Sequence, residues 1–211
     1  MADAATIETP AAPAAPAEHG AHRTSTGVSN NKMGMWLFLA SDCLLFGALI
    51  STYLLYHDRI SELELGPKTV FDIPFTSVSS FVLLLSSLTM VLALSALQRG
   101  DIARNRLWLF VTAMLGATFV GGQVYEFTTF YHEGLGYTTN LFGSAFYTLT
   151  GFHGIHVTVG IVMLMSLLIK SLRGNLTKEN AETVEIVGLY WHFVDIVWIL
   201  IFTVVYLIEV G

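Results

Sequence analysis

Apolar residues occur in five long runs along the chain, at about 33–56, 77–97, 107–131, 141–169 and 186–208. Each run reaches or exceeds the roughly 20 residues that a helix needs to cross ~30 Å of hydrocarbon. The runs lack the alternation of apolar and polar residues that the strands of a membrane barrel show. Because lipid offers the backbone no hydrogen bonds, each run is predicted to form a helix. The pattern therefore predicts an all-α membrane protein with five transmembrane helices.

The first 30 residues differ from the rest of the chain. They are rich in Ala, Pro, Ser and Thr and show no periodicity, which is typical of a disordered segment. They also lack the basic start and apolar run of a secretory signal. We therefore expect a disordered tail over residues 1–30 and one five-helix transmembrane domain over residues 31–211.

The composition supports the membrane class. Hydrophobic residues make up 54% of the chain and charged residues 12%, about half the charged share usual in soluble proteins. The net charge is −6, and the ten Lys and Arg residues form no basic run, so no nucleic-acid partner is expected. A single cysteine, Cys43, excludes an intramolecular disulfide.

Basic residues predict how the chain lies in the membrane. If the amino terminus is cytoplasmic, eight Lys and Arg residues fall on the cytoplasmic side and two on the outer side. The eight are Arg23, Lys32, Arg99, Arg104, Arg106, Lys170, Arg173 and Lys178, and the two are Arg59 and Lys68. Cytoplasmic segments carry the excess of positive charge, so the carboxyl terminus is expected to be periplasmic. Because the connections are short, consecutive helices are predicted to be antiparallel neighbours.

Ionisable residues inside the predicted spans are the candidates for function. The acids are Asp42, Glu126 and Asp195, and the imidazoles are His153, His156 and His192. Such groups are costly against lipid tails, so each is expected to face the bundle, a cleft or a partner. His192 and Asp195 are three residues apart and share a helix face, as do His153 with His156 and Gln123 with Glu126. Proton handling, a ligand site and interhelical hydrogen bonding all remain open for these residues.

The same residues argue against a cofactor on this chain. Two histidines lie three apart on one span and the third is alone, which does not provide the two axial pairs of a di-haem four-helix cytochrome. A metal site built from His153, His156 and His192 is disfavoured for a similar reason. The chain contains no phosphate-binding loop and no nucleophile elbow. We therefore predict no catalytic, cofactor-binding or metal-binding residue.

Five stretches carry a resemblance to a known family. In chain order they are GMWLFLASD, GDIARNRLWLF, QVYEF, GSAFYTLTGFHGIHV and YWHFVDIVWILIFTVVYL. Over residues 33–210 the chain resembles the haem-copper oxidase subunit III family, and within it the cytochrome bo-type ubiquinol oxidase branch. The resemblance to that branch is carried by two stretches, SDCLLF and FDIPF followed by FVLLLSSLTM. Many cytochrome c oxidase members carry Glu where this chain has Asp42.

The resemblance implies an accessory subunit of a proton-pumping quinol oxidase. Subunit I, which this chain would contact directly, holds haem and copper and reduces oxygen to water, with ubiquinol as electron donor. Subunits II and IV would complete the complex in the bacterial inner membrane. Family members form two helix groups separated by a V-shaped cleft that holds phospholipid. The resemblance implies that the subunit supports oxygen access, proton uptake and the stability of subunit I.

The resemblance also implies which positions matter. Asp42 matches the family's membrane-embedded acid. The other matched positions of its polar motifs are Glu126, His153, His156, Trp191, His192 and Asp195. Three other functions remain open beside a quinol oxidase subunit: subunit III of a cytochrome c oxidase, an autonomous transporter or proton channel, and a self-contained b-type cytochrome.

Overall fold

Five long helices account for most of the computed structural model, which describes residues 27–56 and 73–207. They are α1 (Asn30–Leu55), α2 (Ile73–Gln98), α3 (Ile102–His132), α4 (Leu141–Leu172) and α5 (Ala181–Phe202). A short 3₁₀ turn, Lys178–Asn180, precedes α5, and a π-helical turn, Thr203–Leu207, continues it. Each span is long and apolar enough to cross a membrane, so the five predicted spans are confirmed. The predicted tail falls largely on residues 1–26, outside the described residues.

Polar residues define where three of the helices begin. The side chains of Ser29, Asp101 and Asn140 accept backbone N–H groups in the first turns of α1, α3 and α4. These caps satisfy donors that a helix start otherwise leaves free. Glycines with positive φ angles follow the ends of α2, α3 and α4. They are Gly100, Gly134 and Gly174.

Four of the helices form a closed ring. Helix α2 packs on α3, α3 on α4, α4 on α5, and α5 back on α2. Helix α1 lies outside this ring, and its main neighbours are α4 and α5. The expectation of consecutive neighbours is therefore confirmed within the ring and wrong for α1. The connection at residues 57–72 is long enough to let α2 begin away from α1.

The V-shaped cleft is a separate question from the number of helices. Helix α1 is the span with the smallest buried share, 17%, against 50% for the span that contains α5. This difference agrees with a peripheral α1, but it does not define two helix groups with a cleft between them. The cleft stays a prediction.

Polar links tie the helices together at the end that is predicted to face the cytoplasm. Lys32 Nζ lies 2.7 Å from Glu185 Oε1 and joins α1 to α5. Arg106 Nη2 donates to the Ser171 carbonyl at 2.5 Å and joins α3 to α4. The arginine thereby binds a carbonyl in the last turn of α4, where a cation is favourable.

Candidate functional site

The candidate residues lie in four separate places within the bundle. His192, Asp195 and Trp191 face α2, and Asp42 meets His156 between α1 and α4. The remaining two lie apart from these pairs: His153 stacks on Trp198, and Glu126 accepts a hydrogen bond from Thr76. All but His156 and His192 are buried, so none of the three acids is directed at lipid.

Ser87 of α2 joins His192 to Asp195. Its hydroxyl donates to Asp195 Oδ2 at 2.6 Å, and His192 Nδ1 lies 3.2 Å from the same hydroxyl oxygen. A serine has one hydrogen, which Asp195 receives, so the His192 nitrogen must be the donor in the second bond. His192 and Asp195 therefore meet through a residue of another helix.

Two tryptophans of α5 bind serines of α2. Trp191 Nε1 donates to Ser86 Oγ at 2.9 Å, and Trp198 Nε1 donates to Ser80 Oγ at 2.8 Å. All four side chains are buried. Sequence reasoning missed these serines, which lie in an otherwise apolar run. Nothing in that run marks which of its serines accept from a tryptophan, because Ser80 and Ser86 also donate to carbonyls of their own helix, as many helical serines do.

Trp191 also fills a slot between three helices. A Cβ atom at Gly116 of α3 would lie 2.5 Å from its ring, and one at Gly160 of α4 would lie 2.7 Å away. Any other residue at these positions would overlap the indole. The close approach of α3, α4 and α5 therefore depends on both glycines.

Asp42 and His156 meet at the middle of their helices. Asp42 Oδ2 lies 3.6 Å from His156 Nε2 and has no hydrogen-bond partner among the described residues. His156 Nδ1 lies 2.8 Å from the Phe152 carbonyl, which can only accept, so Nδ1 carries a hydrogen. An acid of α1 and an imidazole of α4 are thus adjacent at the middle of their helices.

His153 has a different environment from His156, although the two share a helix. Its ring is fully buried, stacked on Trp198 with centroids 4.8 Å apart, and contacted edge-on by Phe119. Neither ring nitrogen has a hydrogen-bond partner within the described residues. The surrounding aromatic rings favour a packing role and leave no room for a large ligand such as haem.

Glu126 joins α3 to two other elements. Thr76 of α2 donates to Oε1 at 2.7 Å, and Tyr206 of the π-helical turn donates to Oε2 at 3.2 Å. Gln123, one turn away, instead donates to the Thr150 carbonyl of α4 at 2.9 Å. Gln123 and Glu126 thus bind different helices.

No metal-binding cluster emerges from these contacts. Across residues 27–56 and 73–207, no three His, Cys, Asp or Glu side chains are grouped so that they could hold an ion. These side chains instead form hydrogen bonds between helices, and their carboxyl and imidazole groups are of the kinds that bind protons.

Comparison with known proteins identifies the family. The model of the family described as cytochrome c oxidase subunit III matches residues 14–210. This chain belongs to the cytochrome c oxidase subunit III family. The match includes all five helices and every candidate residue.

Curated relatives of this subunit III family carry two kinds of name. Cytochrome c oxidase subunit 3 of Bacillus sp. (strain PS3) is 41% identical over 92% of this chain and 92% of its own length. Quinol oxidase subunit 3 of Bacillus subtilis (strain 168) is 37% identical over 92% of this chain and 98% of its own. Cytochrome bo(3) ubiquinol oxidase subunit 3 of Pseudomonas aeruginosa is 39% identical, with coverages of 84% and 85%.

Proposed function

We propose that this chain is the accessory subunit III of a proton-pumping terminal quinol oxidase that reduces oxygen to water. The family match over residues 14–210 carries the proposal. Relatives named as quinol oxidase subunits, and the bo-type motifs of the first two spans, support a quinol as the electron donor. In this role the chain stabilises subunit I and supports its proton uptake and oxygen supply.

The placement of the histidines supports a subunit without a redox centre. His153 is enclosed by aromatic rings, while His156 and His192 each have a ring nitrogen engaged with a neighbouring residue. Haem and copper then belong to subunit I, which this chain contacts directly, with subunits II and IV in the same complex. Phospholipid covers its exposed apolar faces.

The proposed location is the bacterial inner membrane, with the amino terminus in the cytoplasm. Eight basic residues on one side and two on the other support this orientation. Five apolar helices make the protein multi-pass.

Affinity purification through a tag on this chain tests the proposal. The purified material is expected to contain a larger haem-bearing subunit and to consume oxygen with ubiquinol. Oxygen uptake with reduced cytochrome c and not with ubiquinol would establish the second candidate, subunit III of a cytochrome c oxidase, which the 41% identical relative favours. Recovery of the chain without any haem-bearing partner would contradict both.

Measurements on the isolated chain distinguish an accessory subunit from a self-contained cytochrome and from a proton channel. The isolated chain is expected to show no Soret absorption and no proton flux in liposomes. A Soret band would support a self-contained cytochrome, and flux that Asp42→Asn abolishes would support a proton channel.

A further inference from the structure

We propose that Ser87 relays protons between His192 and Asp195, which makes Asp195 a proton-storing carboxyl group that is reached from a groove between α2 and α5. The relay depends neither on the electron donor nor on the partner subunits, because all of its contacts lie within this chain.

The hydrogen bonds of the relay run in one direction. His192 Nδ1 donates to Ser87 Oγ at 3.2 Å, and Ser87 donates to Asp195 Oδ2 at 2.6 Å. Both donors therefore point towards the carboxylate. A hydroxyl that both accepts and donates a hydrogen bond can pass on a proton by exchanging one O–H bond for another.

The two ends of the relay differ in their surroundings. Asp195 is 4% exposed, and its Oδ1 atom has no hydrogen-bond partner among the described residues. His192 is half-buried and lines a groove of about 190 Å³ that runs along α5 to Glu185. Because Nδ1 carries the hydrogen of the neutral ring, Nε2 has the free lone pair, and we take it as the atom at which a proton enters.

Each relay step moves one proton through three groups. A proton binds to Nε2 of His192, the Nδ1 proton moves to Ser87 Oγ, and the original Ser87 proton moves to Asp195 Oδ2. His192 ends as a neutral ring with its hydrogen on Nε2, Ser87 keeps one hydrogen, and Asp195 becomes a neutral acid. One proton has entered and one is stored.

Few charges surround the relay. Helix α2 contains no ionisable residue. Helix α1 contributes Lys32, which is paired with Glu185 at the far end of the groove, and Asp42, which faces His156 of α4. His153 of α4 stacks on Trp198. Glu185 is seven residues before His192, roughly 10 Å along the helix, so it does not replace Ser87 as a partner.

Infrared spectroscopy of the whole chain in lipid nanodiscs tests the relay. The carbonyl band that Asp195→Asn removes is assigned to protonated Asp195, and its shift after transfer to D₂O gives the exchange rate. Ser87→Ala is expected to slow this exchange at least about tenfold, because the alanine neither accepts nor donates a proton. Ser87→Thr, which keeps the hydroxyl, is expected to retain the wild-type rate.

The neighbouring serine provides a matched control. Ser86→Ala removes a buried hydroxyl that binds Trp191 and not Asp195, so the exchange rate should be unchanged. His192→Phe removes the entry atom and should slow exchange, which keeps the test decisive if Ser87→Ala fails to fold. Wild-type exchange in Ser87→Ala or His192→Phe, or absence of an Asp195 carbonyl band at every pH, would overturn the proposal.

Discussion

Trp191 shows how single residues set the distance between helices. Its indole lies against Gly116 and Gly160 and donates a hydrogen bond to Ser86. The ring is 1% exposed, so no free space remains to absorb an added methyl group. Hydrophobicity alone does not distinguish these glycines from those that face open space, such as Gly121 and Gly151.

Adding one methyl group at Gly116 or Gly160, the two glycines against the Trp191 ring, should destabilise the bundle. Gly116→Ala and Gly160→Ala place Cβ atoms 2.5 Å and 2.7 Å from the Trp191 ring. We expect each to cost about 1–3 kcal/mol, the usual range for overpacking, and to lower the melting temperature in detergent. Gly121→Ala and Gly151→Ala are the controls, since nothing lies within 4 Å of their added Cβ atoms. Equal melting temperatures for all four variants would show that the slot is not tight.

The contact between Asp42 and His156 makes a second prediction at this scale. Asp42→Asn keeps the size of the side chain, and its amide can donate to His156 Nε2 without holding a titratable proton. The complex is therefore expected to assemble at its normal yield, while its turnover changes in magnitude or pH dependence. Oxygen uptake measured from pH 6 to 9 is the test. An unchanged profile would limit Asp42 to packing.

At the scale of elements, α2 and α5 are joined by polar contacts. Ser80, Ser86 and Ser87 of α2 bind Trp198, Trp191 and Asp195 of α5. Helices in lipid gain little from apolar burial against one another, so hydrogen bonds and close packing set their arrangement. The interface therefore depends on the serine hydroxyls that α2 provides.

Removing the carboxyl group from this interface should impair assembly. Asp195→Ala leaves the Ser87 hydroxyl without its acceptor and opens a polar gap, at a cost of about 1–3 kcal/mol. We expect less of the chain in membranes and less bound to its partner, as measured by quantitative pull-down. Asp195→Asn is the control, because its amide oxygen still accepts from Ser87. Full assembly and activity of Asp195→Ala would show that the Ser87–Asp195 hydrogen bond has no structural role.

At the scale of the whole molecule, the five helices could be predicted because apolar runs of this length have one stable form in lipid. The neighbours of α1 could not, since the connection at residues 57–72 allows several placements. The serine acceptors were also out of reach. Ser80 and Ser86 each donate to a carbonyl of their own helix, so nothing in an apolar run marks which serines also accept from a tryptophan.

The orientation of the bundle is a further property that the sequence predicts and a measurement can decide. Cys43 lies in the middle of α1 on an exposed apolar face, so Cys43→Ser removes a thiol that aqueous reagents do not reach. In this background, Glu133→Cys places a thiol between α3 and α4, and Asn175→Cys places one between α4 and α5. Both positions are exposed and lie on opposite sides of the membrane.

Because basic residues favour the cytoplasm, an impermeant maleimide should label Glu133→Cys in intact spheroplasts and Asn175→Cys only after lysis. The reverse pattern would show that the bundle has the opposite orientation in the membrane. The Lys32–Glu185 end of the α2–α5 groove, from which Asp195 is proposed to take its proton, would then lie on the outer side.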